Sequence, residues 1–236
     1  MPCKVCNGTA ELFGVVDFNK NCLEEQGVLL ALTGVPIWYH RCTTCGLIFT
    51  AAFDHWPPHY FAEHIYNEDY VKVDPDFRER RAVSNTRLVA NFIRRGEGLR
   101  LLDYGGGNGT LANLLRSQGV DAASWDANTD SVRPSQAAFD VVTSFEVFEH
   151  TTDPVTTCAE ALSCLKPGGV LFFSTLTVDT LPPRAVHFWY IAPRNGHITI
   201  HTTTSLTRLF ERFGYRLHHH NNLLHLAFRA LPDWLR

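Results

Sequence analysis

Three groups of residues in this chain have the types and spacing for chemistry. Glu146, Glu149 and His150 read E-x-x-E-H, two carboxylates and an imidazole at i, i+3 and i+4. On one helical turn such positions share a face. Together they would hold a divalent ion with open positions for substrate oxygens, or leave His150 to remove a proton. Cys3-x-x-Cys6 and Cys42-x-x-Cys45 are two C-x-x-C pairs, each followed within two residues by glycine, Gly8 and Gly46. Four thiolates supply the tetrahedral sulfur of a zinc ion, and a metal closed in by four sulfurs is structural and not catalytic. Asp103-Tyr104-Gly105-Gly106-Gly107-Asn108-Gly109 reads D-x-G-x-G-x-G. Its glycines let the backbone adopt positive φ and pass close to a ligand. Its acid, at a strand end, reaches an amino group or a positive charge.

These residues need elements to position them. Leu99, Leu101 and Leu102 fit a buried strand before the glycine loop. Leu111, Leu114 and Leu115 repeat at helical spacing after it, and Gly119 stops that helix. A strand, loop and helix in this order leave amides open at the helix N-terminus, on the edge where open α/β sheets bind ligands. Gly109 comes one residue early for the dinucleotide fingerprint. Ala122 to Asp126 is the second predicted strand, which puts Asp126 where an acid accepts from ribose hydroxyls. Phe139 to Phe145 is the next clear strand, so Asn128 to Gln136 leaves almost no room for a third strand and its helix.

Asp153 as N-cap and Pro154 at the first helical position open a helix running to about Leu165. Lys166-Pro167-Gly168-Gly169 closes it, and Val170 to Thr175 is a strand. Leu206, Leu209, Phe210 and Phe213 form an amphipathic helix ended by Gly214. Tyr215 to His220 and Leu224 to Ala230 are two strands around Asn221-Asn222. His218, His219 and His220 alternate faces on a strand and cannot all meet one metal, so they read as surface residues.

Three segments follow: a zinc-ribbon module over residues 1–55, an aromatic linker and helix over 56–98, and an α/β domain over 99–236. The second C-x-x-C pair leads into a strand, Leu47 to Thr50, and residues 7–41 between the pairs leave room for an inserted hairpin or helix. Cys22, Cys158 and Cys164 lack partners at ligand spacing and read as ordinary thiols. The linker carries Trp56, Tyr60, Phe61, Tyr66 and Tyr70, either covering a cofactor cleft or packing between modules. Arg78 to Arg95 reads as a helix with Ala82, Thr86, Val89 and Ile93 on one stripe.

Composition bounds the function. Of 236 residues, 45% are hydrophobic, and the formal net charge of −3 argues against a broadly basic nucleic-acid surface. The start, MPCKVCNG, has no apolar signal core. The apolar patch Val28 to Tyr39 is broken by Thr33, Gly34 and Pro36 and is too short to span a bilayer. A cytoplasmic protein without a membrane partner is expected, where thiols stay reduced.

The glycine loop with its leading acid resembles motif I of class I S-adenosylmethionine-dependent methyltransferases. FDVV, EVFEH and LKPGG resemble the later motifs of that family, so the resemblance covers residues 99–176. It implies a Rossmann-like α/β sheet with a reduced third strand and an antiparallel last strand, behind the small zinc ribbon. It implies S-adenosylmethionine as cofactor, held by Asp103, Tyr104, Gly105, Gly107, Asn108, Asp126, Ala127, Phe145 and Glu146. The C-x-x-C module ahead of the domain is similar to the zinc-bearing arrangement of some sugar C-methyltransferases.

E-x-x-E-H resembles the metal-binding element of small-RNA 3′-terminal 2′-O-methyltransferases and of ubiquinone-pathway O-methyltransferases. Those families place a further histidine after the fifth strand, which implies His197, with His201 in reserve. Three readings stand. A second divalent metal is held by Glu146, Glu149, His150 and His197; or His150 is a metal-free base; or the roles are structural, with Glu146 lining the cofactor site and Glu149 orienting His150. His187, Trp189, Tyr190 and Arg194 are expected to face the substrate, the arginine suiting a carboxylate or phosphate. The expected reaction is methyl transfer to an oxygen of a small-molecule acceptor, a sugar or phenol, with Glu149, His150 and His197 carrying the proton or metal chemistry. The rivals are a sugar carbon, an RNA ribose, or a non-catalytic ribbon module. The sequence leaves the oligomeric state open.

Overall fold

The computed structural model describes residues 1–76, 80–93, 96, 98–129 and 132–235. In chain order its elements are strands β1 (Ala10–Asp17), β2 (Pro36–Cys42) and β3 (Ile48–Thr50), and helices α1 (Pro58–His64), α2 (Tyr70–Val73) and α3 (Arg80–Ile93). There follow β4 (Arg100–Tyr104), α4 (Thr110–Ser117), β5 (Asp121–Trp125), β6 (Phe139–Phe145), α5 (Pro154–Ser163) and β7 (Leu165–Ser174). The last are β8 (Thr199–Ile200), α6 (Thr203–Glu211), β9 (Arg216–His219) and β10 (Leu224–Phe228). The chain divides into two compact units. The first is Met1–Pro75, Phe148–Thr157 and Thr175–Leu209; the second is Asp76–Val147, Cys158–Ser174 and Phe210–Arg236. The sequence reading divided the chain at 55 and 98, whereas this division follows contacts and returns two later segments to the amino-terminal part.

The second unit is built on a six-stranded sheet in the order β5-β4-β6-β7-β10-β9. Strands β5, β4, β6 and β7 are parallel, and β10 runs antiparallel to both of its neighbours. The apolar runs predict this: Val141 and Val142 are fully buried on β6, as a parallel strand covered on both faces requires. Among the described residues no strand lies between β5 and β6, which fits the short 128–136 segment. Leu101, Leu111, Leu115, Val89 and Ile93 form the core under α3 and α4. Gly119, at φ +86°, ends α4, while Val120 donates back to the Leu115 carbonyl.

Two boundaries differ from expectation. Helix α5 stops at Ser163, and β7 begins at Leu165 instead of Val170. Leu165 pairs with Phe139, and a register shift before Val141↔Val170 absorbs the intervening residues. Lys166, expected to close the helix, binds Asp140 at 2.7 Å from within the strand. The helix predicted over 78–95 is α3; Arg78, Arg94 and Arg95 lie outside the described residues.

The first unit contains an antiparallel sheet in the order β1-β2-β3-β8. Residues 7–41 between the cysteine pairs hold the β1–β2 hairpin, with Val15 opposite Trp38 and Gly14 opposite Tyr39. Strand β8 comes from far along the chain and pairs Ile200 with Ile48 and Thr199 with Phe49. Tyr39, Phe53, Ile65, Tyr190, Ile198 and Ile200 share one buried core. The linker aromatics join it: Trp56 stands edge-on to Phe53 at 4.8 Å between centroids and packs on Phe61 at 5.4 Å. Among the described residues no helix is long and apolar enough to cross a membrane.

Candidate functional site

In the first unit, Cys3, Cys6, Cys42 and Cys45 converge, with their sulfurs within 4.8 Å of one another. Cys3 and Cys45 lie 3.6 Å apart and Cys6 and Cys42 3.5 Å, far beyond a disulfide bond. A zinc–sulfur bond of about 2.3 Å would space tetrahedral sulfurs about 3.8 Å apart. Backbone amides of Val5, Thr44 and Cys45 point at Cys3 and Cys42 sulfurs at 3.4–3.5 Å, the turn of a metal knuckle. The thiol of Cys45 donates to Cys3 and holds it well below the usual thiol range. The set fits a structural zinc ion. Lys4, between the first pair, donates to the Thr50 and Thr152 carbonyls at 3.0 and 2.9 Å and to Asp54.

In the second unit the glycine loop closes on β5. Gly105 and Gly106 donate to the Trp125 carbonyl at 2.8 and 3.1 Å. Gly105, Gly107 and Gly109 all take positive φ. At Gly106 a Cβ would stand 2.2 Å from Ser124 Oγ and 2.6 Å from Asp103 Oδ2, so a side chain there would have to push the Ser124 hydroxyl and the buried Asp103 carboxylate aside. Asp103 is 4% exposed and accepts from Thr143 Oγ1 at 3.0 Å. Burial pushes its carboxyl up to about 7, and the charge of Asp126 adds to this. Asp126 accepts from the Gly107 amide at 3.0 Å and the Asn128 amide at 2.8 Å. Asn108 accepts from Thr110 N and Oγ1 just ahead of α4, whose N-cap is Gly109.

Tyr104 turns its ring to Trp125, 4.9 Å between centroids, and donates to Glu160 at 3.0 Å. Only its backbone then faces the glycine loop. Ala127 is exposed, and Phe145 is half-buried edge-on to Phe172. A buried acid that ionises beside a cation, a second acid at the neighbouring strand end and a glycine cradle fit the amino, ribose and backbone-facing parts of S-adenosylmethionine.

The E-x-x-E-H residues do not form the helical turn expected of them. Glu146 is a bend and residues 148–150 a turn, and Glu146, just after β6, takes φ +55°. Its carboxylate accepts from Ser174 Oγ at 2.8 Å, within the second unit. Glu149, His150 and His197 come together in the first unit, offering one ligand atom each within 4.8 Å. Glu146 and His201 are not in this group. His201 is buried beside Ser205 Oγ, 3.1 Å away, and edge-on to Phe148.

The tautomers of the two grouped histidines follow from their partners. His150 Nδ1 lies 3.0 Å from the Gly196 carbonyl, and His197 Nδ1 lies 2.9 Å from the Tyr190 carbonyl. A carbonyl only accepts, so both rings donate from Nδ1 and carry the neutral lone pair on Nε2. Metal-ligating histidines are commonly oriented in this way. With one carboxylate, the set fits a divalent ion with open positions for oxygen ligands.

Three neighbours were missed from sequence. Tyr190, 2% exposed, donates to Glu149 Oε1 at 2.5 Å instead of facing a substrate. Tyr66 stands 6.1 Å from His150 between ring centroids. Cys22 lies 3.7 Å from His197 Nδ1, and its backbone amide donates to Asn195 Oδ1 at 2.9 Å. Arg194, expected to bind an anionic substrate, is 5% exposed and spends its guanidinium on the Ile65 carbonyl and Asn67. His187 and Trp189, expected to face a substrate, are exposed. His219, read as a surface residue, stands 2.9 Å from the fully buried His225. The only sequence sign of Tyr190 is its place in the aromatic run Phe188–Tyr190 ahead of His197.

A family profile described as a methyltransferase domain matches residues 76–220. The ubiquinone biosynthesis O-methyltransferase of Parvibaculum lavamentivorans is 29% identical over 113 residues, covering 38% of this chain and 45% of that protein. The ubiquinone biosynthesis O-methyltransferase of Idiomarina loihiensis is 31% identical over 135 residues, covering 44% and 54%. The chain spans about half the length of these curated relatives. Among solved structures, magnesium protoporphyrin IX methyltransferase from Synechocystis with bound SAH is similar in fold, with a TM-score of 0.50 at 14% identity. That match covers 75% of this chain and 97% of the other.

Proposed function

The chain belongs to this methyltransferase domain family, and from that premise we propose that it transfers a methyl group from S-adenosylmethionine to an oxygen of a small-molecule acceptor, a sugar, phenol or related metabolite. The grouping of Glu149, His150 and His197 carries the oxygen assignment. A hydroxyl acceptor must lose its proton, to a base or through an ion that lowers its pKa.

Bound S-adenosylmethionine supplies an electrophilic methyl group on a sulfonium. Toward it, Asp103 offers a carboxylate for the amino group, and Asp126 offers acceptors for the ribose. Backbone at Tyr104, Gly105, Gly107 and Asn108 would hold it, with Ala127, Phe145 and Glu146 completing its surroundings. A divalent ion held by Glu149, His150 and His197 would lower the pKa of a coordinated hydroxyl. Glu149 brings the charge and the two Nε2 lone pairs bring the neutral ligands. The four cysteines hold a structural zinc ion. No disulfide joins the seven cysteines.

The test combines metal content with acceptor screening. Elemental analysis of the protein purified without chelators should give zinc at one per chain and a second divalent ion that His150→Ala loses. Formation of demethylated cofactor with catechols or vicinal diols, and a new O-methyl signal by NMR, would support the reading. Methyl found on carbon, or cofactor bound without turnover of any hydroxyl acceptor, would overturn it.

A further inference from the structure

We infer that Tyr190 is the positioning residue of the Glu149–His150–His197 site. It holds Glu149 through its phenol and His197 through its backbone. This rests on the metal reading of that group given above.

Tyr190 reaches the site through separate atoms. Its hydroxyl donates to Glu149 Oε1 at 2.5 Å. The same oxygen accepts from the Leu176 amide at 3.3 Å, so the phenolic hydrogen is directed to the carboxylate. Its carbonyl accepts from His197 Nδ1 at 2.9 Å. Its ring packs on the His197 ring at 4.1 Å between centroids. Glu149 is held at its other end too, because its carbonyl accepts from Ile198 and Thr199 amides at 2.8 and 3.0 Å. Tyr190, Glu149 and His197 are 2%, 0% and 5% exposed.

A carboxylate this deeply buried is costly without donors. A phenol is a donor that stays neutral while stabilising the charged oxygen. Groups that orient the ligands of a metal site typically matter 10–100-fold in metal affinity, about the loss expected here. Fixing two ligands from one residue also sets their separation, which a flexible side chain would not do.

The variant that isolates the phenol is Tyr190→Phe, which keeps the ring and the carbonyl. Manganese(II) would be the probe, titrated into the full-length protein and followed by the EPR signal of the unbound ion. A hard-to-borderline ion avoids the all-sulfur cysteine site. The expected result is one manganese site in wild type, weakened about 10–100-fold in Tyr190→Phe and lost in His197→Ala. Zinc content and thermal midpoint report whether Tyr190→Phe stays folded, and an unchanged value of both with weakened manganese binding separates positioning from general destabilisation. Equal manganese affinity in wild type and Tyr190→Phe would overturn the assignment while leaving the metal reading in place. A general loss of fold in Tyr190→Phe, with zinc released as well, would also overturn it. No manganese site in wild type would overturn the metal reading and this assignment together.

Discussion

The phenol of Tyr39 donates to the backbone carbonyl of His197 at 2.6 Å, with Tyr39 fully buried. Tyr39 lies on β2, the strand that runs into the second cysteine pair, so one hydrogen bond joins that strand to the segment bearing a proposed ligand. Replacing Tyr39 with Phe removes a donor from a buried carbonyl. We expect Tyr39→Phe to lose about 1–3 kcal/mol in urea denaturation and to weaken any metal held by His197. Unchanged values in both measurements would refute the coupling.

The cysteine cluster should be felt at β8. Thr202 Oγ1 donates to the Cys45 carbonyl at 2.6 Å, and Thr50 N donates to the Ile198 carbonyl at 3.0 Å. Cys42→Ser should lower zinc to well under one per chain and speed amide exchange at Ile48–Thr50 and Thr199–Ile200 together. Faster exchange in β3 alone would show that the two strands open independently.

Asp103 gives a pH prediction with a definite sign. Its carboxyl ionises at about 7 when folded and near 3.8 in the unfolded chain. The folded state therefore binds the extra proton between these values. The favourable contribution is complete below pH 3.8 and is lost as pH rises through 7, a change of up to about 4 kcal/mol. Asp103→Asn should flatten this part of the stability curve. A cation beside the carboxylate favours its charged form, so cofactor binding near pH 6 should release a proton in wild type, and the variant should release less. Calorimetry in two buffers of different ionisation enthalpy reads this directly.

Much of the second unit was legible because local signals agreed. The Leu99–Leu102 run, the glycines and the Leu111–Leu115 spacing each point to strand, loop and helix. The brevity of residues 128–136 left no space for another strand before Phe139. The candidate site in the first unit was legible in its residues but not in its shape. E-x-x-E-H has helical spacing, yet Glu146, the residue after β6, takes positive φ, which breaks the helical geometry before it starts. Arg194 has the chemistry of an anion binder, but a sequence does not show that the Ile65 carbonyl takes its guanidinium. Nor does it pair Tyr190 with Glu149, since that contact depends on how distant segments fold together.

Two glycines of the loop should respond differently to alanine. Gly107 has φ +56° with nothing within 4 Å of an added Cβ, whereas a Cβ on Gly105, at φ +78°, would meet Val147 Cγ2 at 2.4 Å. Gly107→Ala should cost about 1–2 kcal/mol in backbone strain. Gly105→Ala adds overpacking of about 1–3 kcal/mol. Thermal melts and cofactor affinity should rank wild type above Gly107→Ala and Gly107→Ala above Gly105→Ala; the reverse order would contradict the loop geometry.

Among the described residues strand β8 has its only sheet partner in β3, with Ile48 opposite Ile200 and Phe49 opposite Thr199. The amino-terminal ribbon is therefore not a portable tag. Cutting the gene after Thr50 would strip Thr199 and Ile200 of their neighbour and leave a short sticky sheet edge carrying the histidine segment. Transplanting the ribbon onto another enzyme would fail in the converse way, because its last rung is written some 150 residues downstream, between His197 and His201.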